Sequence, residues 1–314
     1  MRIGAVMNPA AGGGRMRGEW PAFVTALERR FGGFVLRETT RPGDASAMAL
    51  GLAREGVDVV MAAGGDGTVS EVADGLLRAR AEGREGTALA VAPVGTGSDF
   101  AAAFGIPRDA EECVARMAAA APRQIDAGRI SFIDDAGQPV VRHFASIASL
   151  GVSGPIDRVI NAAKAKQRGR LSGPALFYLF TLRELMRYRF QNVRVEVDGG
   201  PPVEARIALV AVANNRSFGG GMLIAPGAIM DDGLLEVVIV RGNSRLRLMK
   251  DLRLVYSGAH RNIDTCIFLR GRRITVTPLG DPRANAALVD VDGESPGRIP
   301  ATFEVLPAAL TLRV

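Results

Sequence analysis

Along the first third of the chain, short apolar runs rich in β-branched residues alternate with longer stretches whose apolar positions recur at helical spacing. Residues 2–7 are followed by 19–31, 34–37 by 44–55, 57–63 by 69–81, and 88–93 by 99–104. Strand and helix in short alternation predict a parallel sheet covered by helices on both faces. A further helix over 110–120 ends at Ala121-Pro122-Arg123, and the character then changes. Beyond it the apolar runs at 124–133, 142–150, 193–197, 203–213, 234–240, 263–269, 273–277, 286–291 and 301–306 read as strands bounded by Gly, Pro, Asn or Asp. Helices are predicted over 156–166, 174–190 and 245–257. The chain is thus expected to be α/β with two domains: a parallel-sheet three-layer domain over 1–123 and an antiparallel β-sandwich over 124–314. A last strand at 310–314 is free to rejoin the first domain, which the pattern does not settle.

Composition narrows the chemistry. A chain of 314 residues with 47% apolar content can bury one large core or two ordinary ones. Its 38 glycines gather at strand ends and form no repeat. The two cysteines, Cys113 and Cys266, lie far apart and outside any disulfide or zinc spacing, which suits a reducing, cytoplasmic setting. With His143 and His260 as the only histidines, histidine chemistry is set aside as structural. Residues 1–8 are too short an apolar run for a signal peptide and read as a first strand. No apolar stretch approaches the roughly 20 residues of a membrane-spanning helix. A net charge of +6 draws the surface to something acidic, although the preference for Arg over Lys can equally reflect base composition.

The strongest chemical signal is Ala63-Gly64-Gly65-Asp66-Gly67-Thr68-Val69-Ser70-Glu71, where an apolar strand ends and a helix begins. Glycines there let an oxyanion approach the backbone, and the free N–H groups of the helix start favour phosphate. The spacing is neither that of a Walker loop nor of a dinucleotide fingerprint. A tight turn with Asp66 as helix cap is the plainer alternative. Two further glycine turns, Asn8-Pro9-Ala10-Ala11-Gly12-Gly13-Gly14-Arg15 and Pro93-Val94-Gly95-Thr96-Gly97-Ser98-Asp99-Phe100, close other strands, and ligands of open α/β sheets bind along that edge. Three such turns favour one nucleotide site over three coincidences.

These turns, with Asp74-Gly75-Leu76, Asn214, Gly219-Gly220-Gly221-Met222, Ala225-Pro226, Asp232-Gly233-Leu234-Leu235 and Asp292-Gly293-Glu294, resemble the catalytic domain shared by diacylglycerol, sphingosine and ceramide kinases. The bacterial diacylglycerol kinases look most similar. The resemblance implies an NAD kinase/diacylglycerol kinase-like fold and transfer of the γ-phosphoryl group of ATP to a lipid hydroxyl, with diacylglycerol giving phosphatidic acid. It further implies that Asn8, Gly12, Thr39, Gly65, Asp66, Gly67, Thr68, Val69, Ser70, Glu71 and Thr96 contact the nucleotide. Asp232, with the backbone oxygens of Ile229 and Leu234, would hold a largely structural Mg²⁺, a hard cation suited to such oxygens; a hairpin turn at 231–233 is the alternative.

Phosphoryl transfer also needs a group that takes the proton of the attacking hydroxyl. By resemblance Glu294 is that base and Asp292 orients it, the intervening glycine letting both carboxyls crowd one site so that repulsion raises one pKa. Asp66 competes, as base or as ligand of the catalytic Mg²⁺. The chain departs from its relatives at Ser98, at Ala101-Ala102-Ala103, and in having Arg15 as the cation of the first turn. A lipid substrate implies contact with a membrane surface at its inner face. Lys164, Lys166, Arg168 and Arg170 before Pro174-Ala175-Leu176-Phe177-Tyr178-Leu179-Phe180 could make it, though a solvated loop and a core helix are the commoner meaning of such a pattern. No nucleic-acid motif is present. A soluble-substrate kinase of the NAD kinase type and an inactive nucleotide-binding regulator are the competing functions, and oligomeric state, a homodimer included, stays open.

Overall fold

The computed structural model describes residues 1–94, 98–166 and 174–314; the side chains of residues 161, 163–166 and 174–179 are outside that description. The chain divides into two compact units, Met1–Ile125 with Ala308–Val314, and Asp126–Pro307 apart from 168–172.

In the first unit the elements run β1 (Ile3–Met7), α1 (Met16–Phe31), β2 (Val35–Glu38), α2 (Asp44–Arg54), β3 (Val59–Gly64), α3 (Asp66–Ala81), β4 (Ala88–Pro93), α4 (Asp99–Ala103) and α5 (Ala110–Ala119). The strands pair in parallel in the order β2-β1-β3-β4. Every residue of β1, β3 and β4 is buried, whereas the edge strand β2 is partly exposed. That is why the first two-residue periodicity is hidden inside continuous apolar runs. Odd positions Ile3, Ala5 and Met7 pack with Trp20, Phe23 and Leu27 of α1 and with Cys113, Val114 and Met117 of α5. On the opposite face Gly4 makes room for α2, since a Cβ there would lie 2.9 Å from a Leu52 methyl. Gly75 does the same between helices: its Cβ would sit 2.3 Å from the Ser46 carbonyl oxygen, so α2 and α3 touch backbone to backbone.

The second unit contains β5 (Arg123–Asp134), β6 (Pro139–Phe144), β7 (Ile147–Gly151), α6 (Ser153–Lys166), α7 (Pro174–Arg187), β8 (Gln191–Val197), β9 (Val203–Ala213), β10 (Leu235–Arg241), α8 (Arg245–Val255), β11 (Cys266–Gly271), β12 (Arg273–Pro278), β13 (Leu288–Val291) and β14 (Glu294–Leu312). Antiparallel pairings run β9-β7-β13-β14-β12-β8 and return to β9. The two layers of the sandwich are therefore joined at both edges around one core, which includes Phe144, Val210, Ile274, Val289 and Phe303. β10 and β11 extend it beyond β9.

Some predicted elements differ. The run 142–150 is two strands, because the corner at Ala145–Ser146 gives its backbone groups to side chains: the Ala145 N–H donates to Asp292, and Asn214 Nδ2 donates to the Ala145 carbonyl at 3.0 Å. The runs at 301–306 and 310–314 are parts of one strand, β14, whose end pairs in parallel with β4 through Leu312 and Leu89. Helix α7 stops at Arg187, and the run expected from residue 263 starts as a strand only at Cys266, after a short helical turn. Among the described residues no helix is long and apolar enough to cross a membrane. The side chains of the basic run from Lys164 to Arg170 lie outside the described residues.

Candidate active site

In the first unit the segments that follow β1 and β3, and residues 98–100 beyond β4, cluster by hydrogen bonding. After β1, Asn8 makes a local turn, its Oδ1 accepting the Ala10 N–H at 3.0 Å, and its Nδ2 reaches across to Thr68 Oγ1 at 3.3 Å. Gly12, Gly13 and Gly14 all have positive φ, so this loop winds in a way that side chains resist. After β3, the chain enters α3 within one residue. Gly64 is required there because its Cβ would fall 2.4 Å from Thr68 Oγ1. By contrast nothing lies within 4 Å of a Cβ built on Gly14, Gly65 or Gly67. The backbone at the start of this 16-residue helix is therefore open to a group of phosphate size, with the positive end of the helix behind it.

The acidic residues of this region face inward. Asp66 accepts the N–H groups of Asp99 and Phe100, both at 3.0 Å, and the Ser98 hydroxyl at 3.3 Å, and so caps α4 and ties the third turn to the second. Ser98, noted in the sequence only as a departure, is part of that link. Glu71 accepts the Ala45 N–H at 3.0 Å and fastens α3 to the start of α2. Thr39, buried, bonds through its N–H to the Met7 carbonyl. Beside it Asp44 gathers Thr40 and Arg41, and these hydrogen bonds, those of Thr40 first, hold its carboxyl down at about 2. Thr68 and Val69 are buried and Ser70 is partly exposed. Thr96 lies outside the described residues.

In the second unit, Asp292 and Gly293 are the central pair of a two-residue hairpin between β13 and β14, with φ of 47° and 91°. Left-handed conformations at both positions define the turn that suits a twisted hairpin, which explains the Asp-Gly pair. The two carboxylates do not share one environment, contrary to the expected crowding. Asp292 accepts the N–H groups of Ala145 at 3.2 Å and Ile147 at 2.9 Å, pinning the hairpin to the β6–β7 corner, while Glu294 pairs with Arg142 at 2.9 Å. Alternation across the turn sends them to different partners. The carboxyls that do meet are Asp290 and Asp157, which sequence reasoning missed; only the spacing Asp290-Val291-Asp292 hinted that a second acid shares the strand.

At residues 229–234, Asp232 accepts the Leu234 N–H at 3.1 Å and pairs with Arg270, and Gly233 donates to Asp126 at 2.6 Å. Ile229 is exposed. The oxygen donors suit a hard cation, but Asp232 would be its one carboxylate, and Arg270 already occupies it. Among the described residues no group of three acidic, His or Cys side chains could hold a metal. Burial raises the Cys113 thiol to about 12 and the Cys266 thiol to about 11, which leaves both unreactive. His260 is buried against the Ile224 carbonyl with its pKa lowered by desolvation.

Residues 2–130 match the family model described as the diacylglycerol kinase catalytic domain, and residues 146–314 match the YegS C-terminal NAD kinase beta sandwich-like domain. A diacylglycerol kinase of Mycobacterium tuberculosis is 30% identical over 312 residues, covering 98% of this chain and 94% of its own. This chain belongs to the diacylglycerol kinase family. A diacylglycerol kinase of Staphylococcus aureus is 28% identical over 96% of the chain and 89% of its own length. A probable lipid kinase, YegS-like, of Chromohalobacter salexigens is 33% identical over 69% of the chain and 65% of its own. Among solved structures, a diacylglycerol kinase from Bacillus anthracis superposes with a TM-score of 0.71 at 21% identity, covering 99% and 96% of the two chains. Yeast NADH kinase in complex with NADH superposes with a TM-score of 0.51 at 10% identity, covering 99% and 82%. The fold is thus that of the diacylglycerol and NAD kinases, an α/β domain followed by an antiparallel sandwich, and the family is one of kinases that use ATP as phosphoryl donor.

Proposed function

We propose that this family member is a lipid kinase that moves the γ-phosphoryl group of ATP to a hydroxyl of a membrane lipid, with diacylglycerol as acceptor and phosphatidic acid as product. The observation that carries the reading is the open backbone at Gly14, Gly65 and Gly67, held in place by Asn8–Thr68 and by Asp66. In this reading the domain of residues 1–123 binds the nucleotide and that of residues 124–314 receives the lipid. Residues 65–71, with Asn8, Gly12, Thr39 and Thr96, hold the donor. Backbone donors suit a charge that spreads over the phosphate oxygens during transfer. Asp66 acts by holding the turn at residues 98–100, since its oxygens already serve three donors. Glu294 takes the proton from the acceptor hydroxyl, steadied by Arg142, and Asp292 fixes the hairpin that presents it.

Mg²⁺ on the donor phosphates supplies neutralising charge, and a structural Mg²⁺ at 229–234 would rest on Asp232 and the carbonyls of Ile229 and Leu234 after displacing Arg270. A lipid acceptor requires work at the inner membrane surface, because each CH₂ withdrawn into water costs about 0.8 kcal/mol. The deciding experiment incubates the protein with labelled ATP, Mg²⁺ and mixed micelles holding diacylglycerol, ceramide, sphingosine or no lipid, with NAD as soluble acceptor because yeast NADH kinase shares the fold. Label in diacylglycerol supports the proposal; label in NAD alone overturns it. Light scattering of the pure protein, expected to show a homodimer, tests the assembly.

A further inference from the structure

Helix α6 begins against the hairpin that carries Asp292 and Glu294. Gly154 permits the approach, since a Cβ there would lie 2.6 Å from Leu288 Cβ and 3.1 Å from Ser295 Oγ. Two neighbouring side chains of α6 then grip the turn from both ends. Arg158, held by Asp135 at 2.9 Å, donates to Ser295 Oγ at 3.2 Å, and the Asp157 carboxyl lies beside Asp290. Asp290 is only 3% exposed. Its Oδ1 accepts the Gly293 N–H at 2.9 Å, and its Oδ2 accepts Ser149 Oγ at 2.8 Å, itself 2.7 Å from Ser153 Oγ. Two ionised carboxylates buried side by side repel one another, which favours a proton on one of them. Burial pushes the Asp290 carboxyl above the ordinary aspartate range, against the pull of Ser149, Gly293 and Asp157.

We propose that Asp290 is a positioning residue for phosphoryl transfer, and that one proton shared with Asp157 keeps the Asp292–Gly293 turn, and with it Glu294, in register. The inference rests on the proposed role of Glu294. Loss of that proton would set two buried negative charges side by side, driving α6 from the hairpin and loosening the acceptor that holds Gly293. Among the described residues, the other charged or titratable groups on the elements packed against this strand are Arg158 on α6, Arg142 and His143 on β6, Asp292 in the turn, and Glu294 and Arg298 on the paired part of β14; β7 carries none.

Two measurements separate this idea from the function itself. Infrared difference spectra of the whole protein, which need no turnover, should show the carbonyl stretch of a buried carboxylic acid at neutral pH. The band should vanish in Asp290→Asn, and its absence from the parent overturns the shared proton. In the micelle assay, Asp290→Ala should lower kcat about 100-fold, the order expected for a displaced catalytic group, with KM for MgATP unchanged. Asp290→Asn should rescue turnover, its amide oxygen accepting from Gly293 and its NH₂ donating to Asp157, and should lack the parent's decline in kcat at alkaline pH. Full kcat in Asp290→Ala, or an Asn variant as impaired as Ala, overturns the proposal. If Asp290→Ala fails to melt cooperatively, Asp157→Asn decides instead: parent-like kcat without the alkaline decline supports the proposal, and a crippled kcat sinks it. A parent that phosphorylates no lipid would defeat the functional reading while the infrared band still reports on the proton.

Discussion

The same dipeptide, Asp-Gly, serves the two units in opposite ways. At Asp66-Gly67 it opens a helix, the aspartate reaching away to cap α4 while the glycine leaves space over the backbone. At Asp292-Gly293 it forms the tip of a hairpin with both residues left-handed, and the aspartate is fastened to the backbone of the neighbouring corner. At this turn the first unit thus presents main chain and directs Asp66 and Glu71 to backbone groups within the fold. The second keeps an acid, Glu294, on a side chain that is 39% exposed and paired with an exposed arginine. A phosphate cradle works by fixed partial charges that need no proton, whereas a proton acceptor must be a titratable group with access to its substrate.

The contrast can be broken from either side. Glu294→Gln removes the acceptor and keeps the shape; lipid phosphorylation should fall about 100-fold or more, with nucleotide affinity by calorimetry unchanged. Unchanged turnover would remove the side chain from the chemistry. Asp66→Ala strips three donors of their acceptor and frees the turn after β4. It should cost about 1–3 kcal/mol, read mainly as a raised KM for MgATP, and a defect confined to kcat would return Asp66 to the role of base. Gly75→Val tests the scaffold alone. Its side chain would strike the Ser46 carbonyl and lower stability in urea by roughly 1–3 kcal/mol, with kcat per folded molecule preserved.

The smallest effect is electrostatic. Asp44 is depressed to about 2 from 3.8, so its contribution is complete above its unfolded value and is lost as pH falls from about 4 towards 2. Asp44→Asn should therefore flatten part of the acid limb of stability and leave the neutral range nearly untouched. Its partners Thr40 and Arg41 are exposed, which keeps the change small.

Local pattern carried much of this protein. The alternation of strand and helix up to residue 119, the three glycine turns and the antiparallel character of the remainder are written in spacing and composition, because they follow from backbone preference and burial over a few residues. The family motifs named Gly75 without its reason, which is the close pass of α2 beneath α3.

What the chain alone left open depends on partners distant in sequence. That Asp292 bonds to residues 145 and 147, that Asp290 meets Asp157 on a helix, and that β14 runs unbroken until Leu312 lies beside Leu89 follow from how the strands close around their cores. A carboxylate's identity is fixed by its codon, but its partners, and therefore its charge and its task, are set by whichever groups packing brings within 3 Å or so of it.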